Sequence, residues 1–194
     1  MRTAAVVLAA GKSSRMGTNK LLLEVGGKRV LDHILSKLSP IPTIVVLGHR
    51  PEDIRGLAEG QGARTVHNPD YERGMTTSFQ VGLRSLPEDV EAVFMVLSDT
   101  FGFKPDLLSE MSSKMEETTD ALIVSPIHKS KRGHPVLFKR EILDEFLALG
   151  DDVTMKDVVN RHESRHVYVE SGIWATIDLD TPEDLKKIRK LWAS

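Results

Sequence analysis

The stretch Ala4-Ala5-Val6-Val7-Leu8-Ala9-Ala10-Gly11-Lys12-Ser13-Ser14-Arg15-Met16-Gly17-Thr18-Asn19-Lys20 changes character halfway along. Its first half is a run of small and branched apolar residues, the pattern of a strand buried on both faces. Its second half is a loop of small residues carrying three cations, Lys12, Arg15 and Lys20. Backbone that can approach a ligand closely, with positive charge gathered at a strand end, is what a polyphosphate requires. A solvated basic turn is the competing reading. Arg2 ahead of the apolar run imitates the start of a secretory signal, but the run ends in a glycine-containing basic loop, so a first strand is expected instead.

The same apolar character returns at residues 43–47, 92–97 and 121–124, and segments of helical period lie between these runs. Val30, Leu31, Ile34, Leu35 and Leu38 recur on one helical face. Pro51 opens a second helix with Ile54, Leu57 and Ala58 together and Gly60 near its end. Residues 76–83 and 105–115 supply two more, Pro105 suiting a first turn where its missing N–H costs nothing. Thr181-Pro182-Glu183-Asp184 reads as a helix start, followed by Leu185, Ile188, Leu191 and Trp192 on one face. The region from 128 to 170 is less regular, with strands expected at 134–138 and 166–169 and a helix at 141–149. Strands alternating with helices predict an α/β fold of Rossmann-like type: one domain over residues 1–194, with a mostly parallel sheet covered on both faces. Chemistry in such a sheet belongs at the carboxyl ends of its strands.

Composition narrows the partners. A chain of 194 residues fits one domain able to bury about 70% of its unfolded surface. With 26 Lys and Arg against 28 Asp and Glu there is no global basic field, so duplex nucleic acid is not an expected partner. The absence of cysteine rules out disulfides, a thiolate nucleophile and thiolate-held metals. No stretch approaches the roughly 20 apolar residues that span a bilayer. A cytoplasmic location without membrane association is expected.

Two familiar phosphate loops fail against the opening stretch. The P-loop pattern would need glycine where Val6 stands, and the dinucleotide pattern G-x-G-x-x-G would need it at Ser13. The stretch instead resembles the signature of MobA-like nucleotidyltransferases, L-A-[AG]-G-x-S-x-R-M-G-x-x-K, at every fixed position from Leu8 to Lys20. The resemblance continues through Asn68-Pro69-Asp70 with Gly74-Met75 and Ser78, and through Leu97-Ser98-Asp99, which is similar to the family's strand-end metal aspartate. Arg132-Gly133-His134-Pro135 and Asp178-Leu179-Asp180-Thr181-Pro182-Glu183-Asp184-Leu185 resemble segments of its molybdenum-cofactor cytidylyltransferase branch. The fold this implies is the three-layer sandwich of nucleotide-diphospho-sugar transferases.

The reaction implied by the resemblance is attack of an acceptor phosphate on the α-phosphorus of an NTP, with pyrophosphate leaving. Such chemistry needs positioning and charge neutralisation and no protein nucleophile. Leu8, Ala9, Ala10, Gly11, Lys12 and Ser13 would then wrap the nucleotide, with Lys12 and Arg15 on its β and γ phosphates and Lys20 at the α-phosphate. Arg15, Lys20 and Asp99 would be the catalytic groups. Asn68 and Ser78 would touch base, ribose or phosphates, although Asn68-Pro69 is equally a turn former. Asp99 would bind Mg²⁺ with Asp178, which is preferred to Asp180 because Asp180 has an alternative use as the cap of the helix at Thr181-Pro182. His134 would line the acceptor pocket, although a histidine held by backbone at a strand start is an equal alternative. Ala9-Ala10-Gly11 accompanies CTP in this family, where Ala-Gly-Gly accompanies GTP, although one methyl group discriminates by only about 1–3 kcal/mol.

The acceptor implied is molybdopterin or the molybdenum cofactor, and a molybdoenzyme or its maturation factor is the implied protein partner. One departure stands out. Where the family has proline two residues after the metal aspartate, this chain has Asp99-Thr100-Phe101-Gly102-Phe103, expected to be a more aromatic and more flexible loop. Guanylyl transfer and sugar-1-phosphate acceptors are the alternatives within the same chemistry; a non-catalytic nucleotide- or cofactor-binding module is the alternative outside it. His162-Glu163-Ser164-Arg165-His166 spells the zinc-protease pattern H-E-x-x-H, which needs both histidines on one helical face. The β-prone Val167-Tyr168-Val169 argues that His166 instead begins a strand.

Overall fold

The computed structural model describes residues 1–150 and 153–193. Its strands are β1 (Thr3–Ala9), β2 (Glu24–Val25), β3 (Lys28–Arg29), β4 (Thr43–Leu47), β5 (Arg64–His67), β6 (Ala92–Leu97), β7 (Ile123–His128), β8 (Lys131–Arg132), β9 (Val136–Lys139) and β10 (His166–Glu170). Its α-helices are α1 (Val30–Leu38), α2 (Glu52–Glu59), α3 (Met75–Arg84), α4 (Pro105–Glu117), α5 (Leu143–Leu147), α6 (Met155–Arg161) and α7 (Pro182–Trp192). Eight strands form one sheet in the order β10-β7-β9-β6-β1-β4-β5, with β8 on β7, while β2 and β3 form a separate hairpin. β1 is parallel to β4 and β6, β4 to β5, and β7 to β10. β9 is antiparallel to both β6 and β7. The fold is therefore a mostly parallel α/β sandwich, as the resemblance implies, with β9 wedged in against the grain.

Why β1 reads as unbroken apolar sequence is visible in its packing. Ala5, Val7 and Ala9 face a core closed by α1, α2, α4 and α7, through residues such as Leu31, Ile34, Ile54, Met111 and Ile188. Ala4, Val6 and Leu8 face a second core closed by α3, α5 and α6, through Phe79, Leu83, Phe146 and Val158. A strand with helices on both sides cannot alternate polar and apolar residues, because both faces are dry. At Gly82 in α3 the approach is so close that a Cβ would lie 2.3 Å from Val6 Cγ1.

Several expectations shift in detail. The run at 121–124 marks burial more than pairing: Ala121 and Leu122 are 1% and 0% exposed, yet β7 starts at Ile123. The helix expected at 141–149 is a 3-10 turn, Arg140–Ile142, followed by the short α5. In the irregular region, α6 forms behind a capping box in which Asp157 Oδ2 accepts from the Thr154 backbone and hydroxyl at 2.7 and 2.8 Å.

Register sets the location of the chemistry. Leu8 pairs with Leu97, so the residues following β1 and β6 emerge side by side at one edge of the sheet. Met95 pairs with Val136, which brings Gly133 and His134 to that same edge from the opposite direction. Segment 178–180 is drawn in by the bond from Leu179 N to Asp99 O at 2.9 Å.

Candidate active site

The loop after β1 is held at both ends. Ser13 adopts φ +50°, a left-handed conformation that costs a non-glycine residue energy, and opens the 3-10 turn Ser14–Met16. Ser13 Oγ accepts from Lys20 N at 3.2 Å, and Asn19 Oδ1 accepts from Leu21 N at 3.1 Å. Leu21, 2% exposed, is sunk in the core. With its successor so anchored, Lys20 turns inward.

It turns into a cleft of about 290 Å³, with Leu8, Ala10, Gly11, Ser13, Arg15 and Lys20 along one wall. Tyr71, Met75, Ser78, Asp99 and Asp180 also line the cleft. The Lys20 ammonium donates to Asp99 Oδ2 at 3.4 Å, Asp180 Oδ1 at 3.3 Å and Leu179 O at 3.4 Å. Arg15 reaches Asp180 Oδ2 at 3.1 Å. Lys12 stands at the rim, paired with Glu72 Oε1 at 2.5 Å; this contact raises the Lys12 pKa and lowers that of Glu72. Each cation of the loop thus has a carboxylate partner.

Asp178 lies outside the cleft lining. Its Oδ1 is 3.2 Å from Thr100 Oγ1, which is 3.3 Å from Asp99 Oδ1, and its Oδ2 is 3.6 Å from Lys131 Nζ. A hydroxyl carries one proton, so Thr100, wholly buried, donates to one carboxylate at a time. The capping role imagined for Asp180 is a misreading. Thr181 is the N-cap of α7, its Oγ1 accepting from Asp184 N at 3.2 Å, while Asp184 Oδ2 accepts from Thr181 N at 2.9 Å. The ground for preferring Asp178 is therefore gone. Asp99 and Asp180 are the two carboxylates that share a cation, and their all-oxygen donor set suits a hard divalent ion. Among the described residues no group of three or more His, Cys, Asp or Glu is arranged to enclose a metal by itself.

The loop after Asp99 is packed rather than loose, contrary to expectation. Phe101 and Phe103 are 2% and 1% exposed. Phe101 stacks on Trp192 at 5.8 Å between centroids and meets His33 at 5.6 Å. The Lys37 ammonium donates to Phe101 O and lies 5.2 Å from the Phe103 ring centre. Burial pushes the Lys37 amine down to about 8. Aromatic packing here does what a proline would do by restricting φ.

Other sequence candidates separate. Ser78 lines the cleft, but Asn68, 1% exposed, lies beneath it. Its amide nitrogen donates to Thr77 Oγ1 and Ser78 Oγ at 3.0 Å each, and its Oδ1 accepts from Asp70 N at 3.0 Å. Asn68 therefore ties a turn to the start of α3, the turn-forming alternative. Ala9 packs into the core. His134 has an unpartnered buried Nδ1; burial lowers its pKa, opposed by the charges of Asp99 and Asp178. His162 bonds Glu145 at 2.6 Å and His166, in β10, bonds Ser125 at 2.9 Å, so the H-E-x-x-H stretch does not sit on one helical face.

Sequence reasoning passed over Tyr71 and Lys131, and it quoted Met75 and Thr100 without giving either a role. For Asp180 a signal was available: Thr181 with an acid three residues on is itself a capping signature, which frees the preceding aspartate.

The chain is 26% identical over 182 residues to the molybdenum cofactor cytidylyltransferase of Escherichia coli (strain K12), spanning 92% of this chain and 91% of that one. It is 24% identical over 196 residues to the "Probable molybdenum cofactor guanylyltransferase" of Natranaerobius thermophilus, spanning 96% and 94%. The crystal structure of Rv0371c from Mycobacterium tuberculosis H37Rv superposes with a TM-score of 0.80 at 25% identity, covering 98% of each chain. That protein's complex with manganese superposes at 0.77 with 22% identity, covering 98% of this chain and 99% of that one. The model of the MobA-like NTP transferase domain matches residues 5–167, so the chain belongs to that family of nucleotidyltransferases.

Proposed function

We propose that the protein transfers CMP from CTP onto the phosphate of molybdopterin, as its molybdenum cofactor, and releases pyrophosphate, with residues 1–194 acting as one nucleotidyltransferase domain. The observation that carries this reading is the Lys20 ammonium shared by Asp99 and Asp180 at the carboxyl edge of β1 and β6. A site for moving a phosphoryl centre needs a cation for the phosphate and carboxylates for a metal, and here the two are interleaved.

Lys20 holds the α-phosphate, where charge builds as the new bond forms. Arg15 and Lys12 exchange Asp180 and Glu72 for the β and γ phosphates, and the backbone of Gly11 to Ser13 closes around them. Asp99 and Asp180 hold Mg²⁺, which when bound neutralises phosphate charge. Support for a divalent ion comes from the manganese complex of the mycobacterial structure. Ala10, Tyr71 and Met75 bound the base, and the methyl of Ala10 favours the smaller pyrimidine. His134 borders the acceptor side. The names of the two curated relatives support a molybdenum-cofactor acceptor, and the one that shares the higher identity supports CTP. The reading extends to a cytoplasmic enzyme whose product passes to a molybdoenzyme or its maturation factor.

Pyrophosphate release with CTP, GTP, UTP and ATP, each with Mg²⁺ and molybdenum-loaded molybdopterin, tests it. Release that is selective for CTP, requires the acceptor and is lost in Asp99→Asn is the expected result. Release only with sugar 1-phosphates would move the acceptor; tight nucleotide binding with no release to any acceptor would make the protein a binding module.

A further inference from the structure

An in-line displacement brings the attacking oxygen in opposite the leaving oxygen. Lys12 and Arg15 lie on the loop side of Asp99, where nucleotidyl transfer puts the pyrophosphate, and Lys20 meets Asp99 Oδ2 at the α-phosphate position. The other side of Asp99 holds a different set. Asp99 connects through Thr100 Oγ1 to Asp178, and Asp178 to Lys131 at 3.6 Å. The carboxylates thus run Asp180, Asp99, Asp178, with Lys20 between the first two, Arg15 beyond Asp180 and Lys131 beyond Asp178, on the acceptor side.

Lys131 is delivered there by a stiff device. β7 and β8 pair Ile127 with Arg132 and His128 with Lys131, leaving Lys129 and Ser130 as a two-residue turn with φ +46° and +66°. Both are left-handed, the geometry that a tight hairpin demands and that non-glycine residues adopt at a cost. Beyond the hairpin, Gly133 is seated so closely that a Cβ would lie 2.1 Å from Ala175 O. The Lys131 ammonium also donates to Thr176 O, while its side chain stays 61% exposed. The charge is held beside Asp178, one hydroxyl away from Asp99 of the cleft, and is still open to a ligand.

We infer that Lys131 binds the phosphate of the acceptor, a phosphate monoester dianion, and that Asp178 keeps the ammonium in place until that phosphate arrives. This rests on the nucleotidyl-transfer reading. A non-bridging oxygen of the dianion forms a bond to the α-phosphorus. The α–β bridging bond breaks and its electron pair leaves on pyrophosphate, with no proton transfer needed. Lys131 offsets the repulsion between two anions that must meet, a task the loop cations cannot perform from the leaving-group side.

The test uses the full chain as wild type, Lys131→Met and Lys131→Arg, with Mg²⁺ and CTP. Methionine keeps an unbranched stem of similar length and removes the charge. In Lys131→Met the KM for molybdenum-loaded molybdopterin should rise about 10- to 100-fold, the loss of one charge-assisted hydrogen bond. CTP affinity by calorimetry should not change, and Lys131→Arg should recover most of the loss. An unchanged acceptor KM, or a parallel loss of CTP affinity, overturns the inference while leaving nucleotidyl transfer intact. If the wild type transfers nothing to molybdopterin, the functional reading fails and Lys131 is judged separately by ³¹P NMR with inorganic phosphate and CTP. Phosphate binding by the wild type that is lost in Lys131→Met supports the inference; equal binding, or none in either, overturns it.

Discussion

Replacing Lys20 with methionine should move metal binding and turnover in opposite directions. In the free protein the Lys20 ammonium occupies the space between Asp99 and Asp180, at 3.4 and 3.3 Å. Each contact is worth about 5 kcal/mol of Coulomb energy at an effective dielectric near 20. The carboxylates are 24% and 32% exposed, and screening with side-chain ordering reduces the net value to roughly 1–2 kcal/mol. A divalent ion must contest the carboxylates with that ammonium. Removing it should tighten binding of Mn²⁺ to the nucleotide-free protein by about 10-fold, one tenfold step being about 1.4 kcal/mol. Turnover should fall about 10²- to 10³-fold, as for loss of one preorganised donor to a charge-building oxygen. Mn²⁺ titration followed by electron paramagnetic resonance, beside pyrophosphate release, reads both. Weaker Mn²⁺ binding with transfer intact would refute the reasoning, since Lys20 would then neither hold phosphate nor compete for the carboxylates.

Two further outcomes test the scaffold. Gly82→Ala should destabilise by about 1–2 kcal/mol although alanine is the better helix former, because the methyl would meet Val6 Cγ1 at 2.3 Å. Thermal melts should show this, and pairing it with Val6→Ala should recover part of the cost; a stabilised Gly82→Ala would mean that α3 sits farther from β1. For pH dependence, burial first and the Arg132 charge second hold the His166 imidazole down at about 4, against opposition from Glu163. An unfolded chain protonates that group near 6.5, so it contributes stability in full above 6.5 and loses it as pH falls towards 4, by up to about 3 kcal/mol. Urea unfolding at pH 7 and 4.5 should therefore show a smaller difference in His166→Gln than in the wild type, and equal differences would exclude His166 as the source.

Much of the site was readable because its parts are local. The segment from Leu8 to Lys20 is contiguous, and its strand-then-loop reading needed no tertiary knowledge. Asp99 was readable for the same reason, standing just past an apolar strand. What escaped depends on distance along the chain. Lys131 meets Asp178 only because a hairpin and a later loop converge, and neither residue carries a local mark of that meeting. The loop after Asp99 looked unconstrained because its restraints, Trp192, His33 and Lys37, come from α7 and α1. The antiparallel β9 was invisible in the same way: a short buried strand reads alike in either direction, and its orientation is set by its neighbours.

That reversed strand has a consequence for synthesis. β9 pairs with β6 on one side and β7 on the other, so the two parts of the sheet have no shared strand until residues 136–139 exist. A chain leaving the ribosome completes β1, β4, β5 and β6 first, and the apolar Ala92–Leu97 must wait as an unpaired edge for a partner made about 40 residues later. Closing such a gap is slow relative to local helix formation, and an exposed apolar edge is a template for wrong pairing. The nascent protein is most vulnerable to aggregation in that interval, after its nucleotide loop has been made and before its sheet is whole.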